Sequence, residues 1–162
     1  MRPVRVPAAL IAEMRRHARA TYPDEACGFL VALPDAADPD APRSIVAASA
    51  APNDFEGARR RRFVIRPEEL RSAEHALEGS ERVVAGFYHS HPDHPARPSE
   101  FDRDHAWPWY TYLVLSVTAT DAPAIGAFEL DGESGVFREV PLETGPGADA
   151  RVTESVRAPG GR

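Results

Sequence analysis

The chain has 162 residues, 43% of them hydrophobic, which is enough for one domain to bury a core without covalent staples. Nineteen basic against twenty-five acidic side chains leave a net charge of −6, which excludes a general nucleic-acid binder whose affinity rests on phosphate neutralisation. A single cysteine, Cys27, excludes an internal disulfide, and the lack of an apolar leader at the amino end makes a soluble, cytoplasmic setting the expectation.

In VPAALIAEMRRHARATYP, residues 6–23, Leu10, Ile11, Met14 and Ala18 recur at helical spacing. Arg15, Arg16 and Arg19 suit the carboxyl end of that helix, and Pro23 stops it. ACGFLVAL (26–33) and SIVAAS (44–49) read as short buried strands, separated by the loop PDAADPDAPR (34–43). RRRRFVI (59–65) leads into a further strand. Its arginines, Arg59 to Arg62, read as a solvated run, with the acidic face of a partner as the alternative.

RPEELRSAEHALEGS (66–80) predicts a helix with Pro67 at its start, Leu70, Ala73 and Leu77 on its buried face and Gly79 at its end. RVVAGFYHS (82–90) is a strand, and SEFDRDHAW (99–107) is a short helix capped by Ser99. Three more strands are expected near 110–118, 124–130 and 135–140, joined by Asp/Pro and Asp-Gly turns. The most apolar run, YTYLVLSVTA (110–119), is about half of what a bilayer requires, so no membrane partner is expected. Residues 1–140 thus form one α/β domain of the α+β type. Residues 141–162, ending in APGGR, hold too few large apolar groups to offset ordering entropy and are expected to be a flexible tail.

Chemistry concentrates in HSHPDHPARPSEFD, residues 89–102. Alternate side chains of a strand share a face, so His89 and His91 can aim both imidazoles at one point. Asp102, in the first turn of the next helix, can complete a three-ligand site, with the intervening prolines stiffening the return. Two imidazoles, one carboxylate and an open fourth position suit a hydrolytic Zn²⁺. His94 and His105 lie in the same segment but read as solvent-facing or supporting groups, and Asp104 as uninvolved. Trp107, Trp109 and Tyr110 read as core or rim aromatics.

This segment resembles the signature of the JAMM (MPN+) zinc metallopeptidases in their compact prokaryotic form. His89-Ser90-His91-Pro92 matches its H-[S/T]-H-P, seven residues follow the second histidine, and Ser99 and Asp102 match its S-x-x-D. Upstream, Glu25 in EACGFL resembles the family's E-x-x-G-x-L neighbourhood, and the likeness spans roughly residues 5–140. The resemblance implies a cytidine-deaminase-like curved mixed β-sheet flanked by helices. It also implies His89, His91 and Asp102 as zinc ligands, Glu25 as proton shuttle, and Ser99 as hydrogen-bond donor to the developing oxyanion.

The implied substrate is a ubiquitin-like or sulfur-carrier protein, cut after its carboxyl-terminal Gly-Gly. A Gly-Gly tail can lie extended in a narrow groove with no side chains to exclude. The leaving group stays open between lysine, cysteine and peptide, and the oligomeric state is open with a homodimer among the options. A non-catalytic scaffold of the same fold is one alternative. A mononuclear non-haem iron oxygenase is another, disfavoured because its usual H-x-[D/E] with a distant histidine is the reverse of the order here. Relatives associated with DNA repair carry a similar histidine motif, but the acidic charge gives nucleic acid no support.

Overall fold

The computed structural model describes residues 2–122 and 124–145. Its elements are β1 (Val4–Pro7), α1 (Ala8–Thr21), β2 (Cys27–Ala32), β3 (Arg43–Ala51), α2 (Pro67–Ala76), β4 (Val83–Pro92), α3 (Glu100–His105), β5 (Thr111–Val117), β6 (Ala124–Leu130), β7 (Phe137–Val140) and β8 (Leu142–Gly145). The strands join in one mixed sheet in the order β7-β6-β5-β4-β2-β3-β1-β8. The expected α+β class is what the chain adopts. No helix among the described residues is long and apolar enough to cross a membrane.

The sheet is buried on two faces. On one, Ile11 and Met14 of α1 pack with Val4, Val6, Leu30, Leu113 and Leu115. On the other, Leu70 and Ala73 of α2 pack over Phe29, Phe87 and Val114. β4 runs between antiparallel β2 and parallel β5, and every residue from Ala85 to Pro92 is buried. A β-bulge sets its phase: Leu30 opposes Gly86 while Val31 opposes Val84, leaving Ala85 as the extra residue. Beyond it Phe87 belongs to the α2-side core and Tyr88 to the α1-side core, so the alternation that follows carries His89 and His91 on the α2 side.

Gly86 permits this arrangement, because a Cβ there would stand 1.8 Å from the Thr111 carbonyl oxygen on the neighbouring strand. Parallel pairing of β4 and β5 requires a crossover, and residues 93–110, with α3 inside them, provide it. The chain therefore returns past the carboxyl end of β4, where ligand sites of open α/β sheets gather.

Two expectations are corrected. RRRRFVI forms no strand, and a side chain takes part of the place of a neighbouring strand: Val64 N–H donates to Asn53 Oδ1 at 3.2 Å and Asn53 Nδ2 donates to the Arg62 carbonyl at 3.0 Å, while the Val64 carbonyl accepts the Asp54 N–H at 3.1 Å. The sheet also gains a strand at each end of the described chain. β1 precedes the first helix, and β8 pairs with it in parallel from Val4↔Leu142 to Pro7↔Gly145, past the expected domain edge at residue 140. The rest of the expected flexible tail, residues 146–162, lies outside the described residues.

Candidate metal centre

His89 and His91 sit at the carboxyl end of β4, and Asp102 sits in the first turn of α3. All three are buried. Their facing atoms form a small triangle: His89 Nε2 to His91 Nε2 is 3.0 Å, and each imidazole Nε2 lies 3.1 Å from Asp102 Oδ2. His91 Nδ1 lies 3.1 Å from the Pro95 carbonyl, an acceptor, so it carries a proton and leaves the Nε2 lone pair of the neutral ring facing inward. Phe63 stacks on the His89 ring with centroids 4.5 Å apart and fixes its plane.

Asp102 is oriented by the helix it begins. Its Oδ2 accepts the Ser99 backbone N–H at 2.7 Å, and Ser99 Oγ accepts the Asp102 N–H at 3.1 Å, closing a reciprocal capping box. Burial alone would push this carboxyl up. The charge of His89 and hydrogen bonds from His89, His91 and the Ser99 backbone outweigh it and hold the group far below the usual carboxylate range. Burial lowers the His89 imidazole, whereas His91, also disfavoured by burial, is raised on balance by Asp102 and Glu25.

The donor set fits a divalent metal. Ligands about 2.0–2.1 Å from a tetrahedral ion stand about 3.3 Å apart, within a few tenths of an ångström of the observed triangle. One cation serves all three inward lone pairs at once, while a proton serves a single pair. Among the described residues these three are the histidine, cysteine and acidic side chains grouped closely enough to hold an ion.

Glu25, two residues before β2, is 2% exposed, and its Oε1 lies 4.0 Å from His91 Nε2. Oε2 is buried without a hydrogen-bond partner among the described residues, and so is free to accept a proton from a small guest. Desolvation drives the carboxyl up to about 8, with His91 opposing the shift and Asp102 reinforcing it. Glu25 and Ser99 both border a groove of about 500 Å³ whose other walls include His91, Arg61, His94 and Arg97. All five residues expected from the sequence are thus brought to one place. His94 is exposed; His105 bonds through Nδ1 to the Phe101 carbonyl at 2.8 Å; neither joins the triangle. Cys27 is buried with its thiol pushed up to about 12 by desolvation, a packing residue. Trp107 and Trp109 are 44% and 81% exposed.

Three supporting groups had no signal in the sequence. Phe63 and the Pro95 carbonyl act through stacking and one hydrogen bond, and Asn53 through four. The Asn53 amide donates to the carbonyls of Glu25 at 3.2 Å and Arg62 at 3.0 Å, and its oxygen accepts from Phe55 at 3.1 Å and Val64 at 3.2 Å. Glu25 N–H in turn donates to the Arg59 carbonyl at 2.8 Å. These partners come from loops, where spacing carries no period.

A family model described as prokaryotic homologs of the JAB domain matches residues 7–130. A desampylase from Haloferax volcanii is 37% identical over 109 residues, which cover 67% of this chain and 73% of that protein. Among solved structures, protein DSY2949 from Desulfitobacterium hafniense has a TM-score of 0.73 at 26% identity, covering 88% of this chain and 93% of its own. A Salinibacter ruber protein has a TM-score of 0.64 at 30% identity, covering 91% and 94%. AF2198 from Archaeoglobus fulgidus, a JAB1/MPN domain protein, shares the fold with a TM-score of 0.53 at 20% identity, covering 88% and 98%.

Proposed function

The chain belongs to the prokaryotic homologs of the JAB domain, and from that membership we propose that it is a zinc-dependent peptidase or isopeptidase. Its substrate is an amide following the carboxyl-terminal Gly-Gly of a ubiquitin-like or sulfur-carrier protein. The observation that carries this reading is the buried triangle of His89, His91 and Asp102 with the Glu25 carboxyl 4.0 Å from one of its corners. The relative from Haloferax volcanii bears the name desampylase, which supports a protein modifier as the class of substrate.

His89, His91 and Asp102 would hold the ion, and Zn²⁺ when bound acidifies a water near neutral pH and polarises a carbonyl. Glu25 accepts a proton from the attacking water and passes it to the departing nitrogen. Its position suits both halves of that task, because the carboxyl stands beside His91 and its Oε2 has no hydrogen-bond partner among the described residues to compete for the proton. Ser99 Oγ already accepts the Asp102 amide, so the hydroxyl proton is left to donate toward the carbonyl oxygen as charge builds there. The water oxygen joins the acyl carbon, the C–N bond breaks, and the proton leaves with the amine. A Gly-Gly segment suits the groove because its backbone can approach these groups without side-chain obstruction.

The test is a carrier protein ending in Gly-Gly plus an extension, incubated with chelated and then zinc-reloaded enzyme and followed by mass spectrometry. Cleavage after the second glycine is expected only with zinc. Glu25→Gln should keep one zinc per chain and lose roughly a thousandfold in rate. Full activity in that variant, or oxygen consumption by an iron-loaded protein in place of hydrolysis, overturns the proposal.

A further inference from the structure

Besides the groove, a second hollow, a cavity of about 170 Å³, borders the site at His89 and Asp102. Five aromatic rings line it: Phe63, Phe87, Phe101, Trp107 and Tyr112. Leu70 and Ala106 are among the aliphatic residues of its wall, and His89 and Asp102 themselves border it. The polar groups of Tyr112 and His105 are already engaged. Tyr112 Oη accepts the Trp107 N–H at 2.8 Å and donates back to the Trp107 carbonyl at 3.1 Å, while His105 Nδ1 bonds to Phe101 and its ring stacks on the Phe101 ring at 4.0 Å. The cavity therefore offers mainly carbon surface, with His89, whose Nδ1 is buried without a hydrogen-bond partner among the described residues, as a polar exception in its wall. An apolar cavity of about 150 Å³ in another protein holds a benzene molecule, so a benzene-sized side chain fits this one.

We propose that this pocket selects the residue that leaves: the substrate is a linear carrier tail, Gly-Gly followed by a residue with a large apolar side chain such as Phe or Leu. The inference rests on the peptidase reading above and narrows it. Gly-Gly on the acyl side has no side chain to offer. The residue before it stands about 10 Å upstream in an extended chain, too far to fill a cavity walled by two of the three metal-site residues. What enters must come from the other side of the scissile bond. A lysine stem fits less well, because it continues into the backbone of its own protein and has to leave the pocket again. Hydrolysis then adds water across the Gly–Xaa amide, giving a free Gly-Gly carboxylate and a free amino acid or short peptide amine.

The experiment compares carrier tails ending Gly-Gly-Phe, Gly-Gly-Leu, Gly-Gly-Gly and Gly-Gly-Asp, with a Gly-Gly isopeptide on lysine beside them. With the zinc-loaded protein, kcat/KM for Phe and Leu should exceed Gly and Asp by about tenfold or more. Ala106→Phe, which fills the cavity, should bring those ratios to within about twofold. A second readout needs no turnover: the Glu25→Gln protein in chelator should bind the Gly-Gly-Phe tail about tenfold more tightly than Gly-Gly-Gly, and lose that preference when Ala106→Phe is added. Equal rates across the series, or an isopeptide cleaved faster than both apolar tails, overturns the pocket while leaving the peptidase reading intact. Preferential binding with no cleavage of any amide overturns the peptidase reading and leaves the pocket.

Discussion

Asp102 Oδ2 accepts the Ser99 amide and faces both imidazoles, so one oxygen joins the start of a helix to the end of a strand. Asp102→Asn keeps an acceptor for Ser99 but removes the charge, so the fold should persist while zinc affinity falls more than about a hundredfold, measured by competition with a chromogenic chelator. Glu25 makes the opposite case: in the metal-free protein, burial favours its neutral form. Its folded pKa of about 8 lies above the ordinary 4.5, so the folded protein binds the proton more tightly than the unfolded chain. Stability from this group is therefore complete below the ordinary value and is lost as pH rises toward 8. In metal-free protein the loss at pH 7 should be about 3 kcal/mol, and Glu25→Gln should flatten the decline in melts taken from pH 5 to 8. An unchanged pH slope in the variant would mean that Glu25 is hydrated. The three candidate ligands were legible because H-x-H obeys strand alternation and S-x-x-D obeys helix capping, and both rules act over a few residues. The position of Glu25, more than sixty residues earlier, came from family likeness, since no local rule brings β2 beside β4.

β4 holds the site because it is central, and its seating depends on one residue with no side chain. Gly86→Ala forces a methyl against the Thr111 carbonyl oxygen, and β4 and β5 must separate or shift. We expect a loss of about 3 kcal/mol or more in denaturant unfolding, with zinc affinity falling alongside as His89 and His91 move. The bulge at Ala85 was not legible, because VVAGFYHS alternates too weakly in polarity to reveal a change of phase. RRRRFVI misled for a related reason. Phe63, Val64 and Ile65 have strand-like side chains, yet Phe63 and Ile65 pack on the α2-side core from a loop, and the Asn53 side chain supplies two of the backbone partners that a neighbouring strand would have given. Asn53→Ala removes four hydrogen bonds that tie this loop to the Glu25 carbonyl. It should cost about 2–4 kcal/mol and lower kcat by moving Glu25, while zinc stoichiometry stays at one per chain because no ligand depends on it.

Taken whole, the molecule sets a cationic rim in an acidic body. The net charge is −6, yet the groove beside Glu25 is edged by Arg61, Arg97 and His94. Two members of the arginine run are committed locally: Arg59 Nε bonds to the Phe55 carbonyl at 3.0 Å, and the Arg62 guanidinium lies over the Phe101 ring at 4.9 Å. Of the remaining two, Arg60 is exposed away from the groove, in keeping with the solvated reading of the run, while Arg61, with Arg97 from outside the run, is exposed at the groove and left to meet a partner. An acidic carrier approaching an acidic enzyme is repelled at long range and drawn in near the groove, so the rim governs encounter and orientation more than chemistry. Reversing both charges, Arg61→Glu with Arg97→Glu, should lower kcat/KM for a full carrier protein about tenfold at low ionic strength, with kcat little changed. The deficit should shrink as salt rises, because the Debye length contracts from about 10 Å at 0.1 M to about 3 Å at 1 M. A short Gly-Gly peptide without acidic residues should be cleaved equally by both proteins at every salt concentration. If the reversed variant keeps the wild-type salt dependence on the carrier, the rim is ordinary solvated surface and the carrier docks elsewhere.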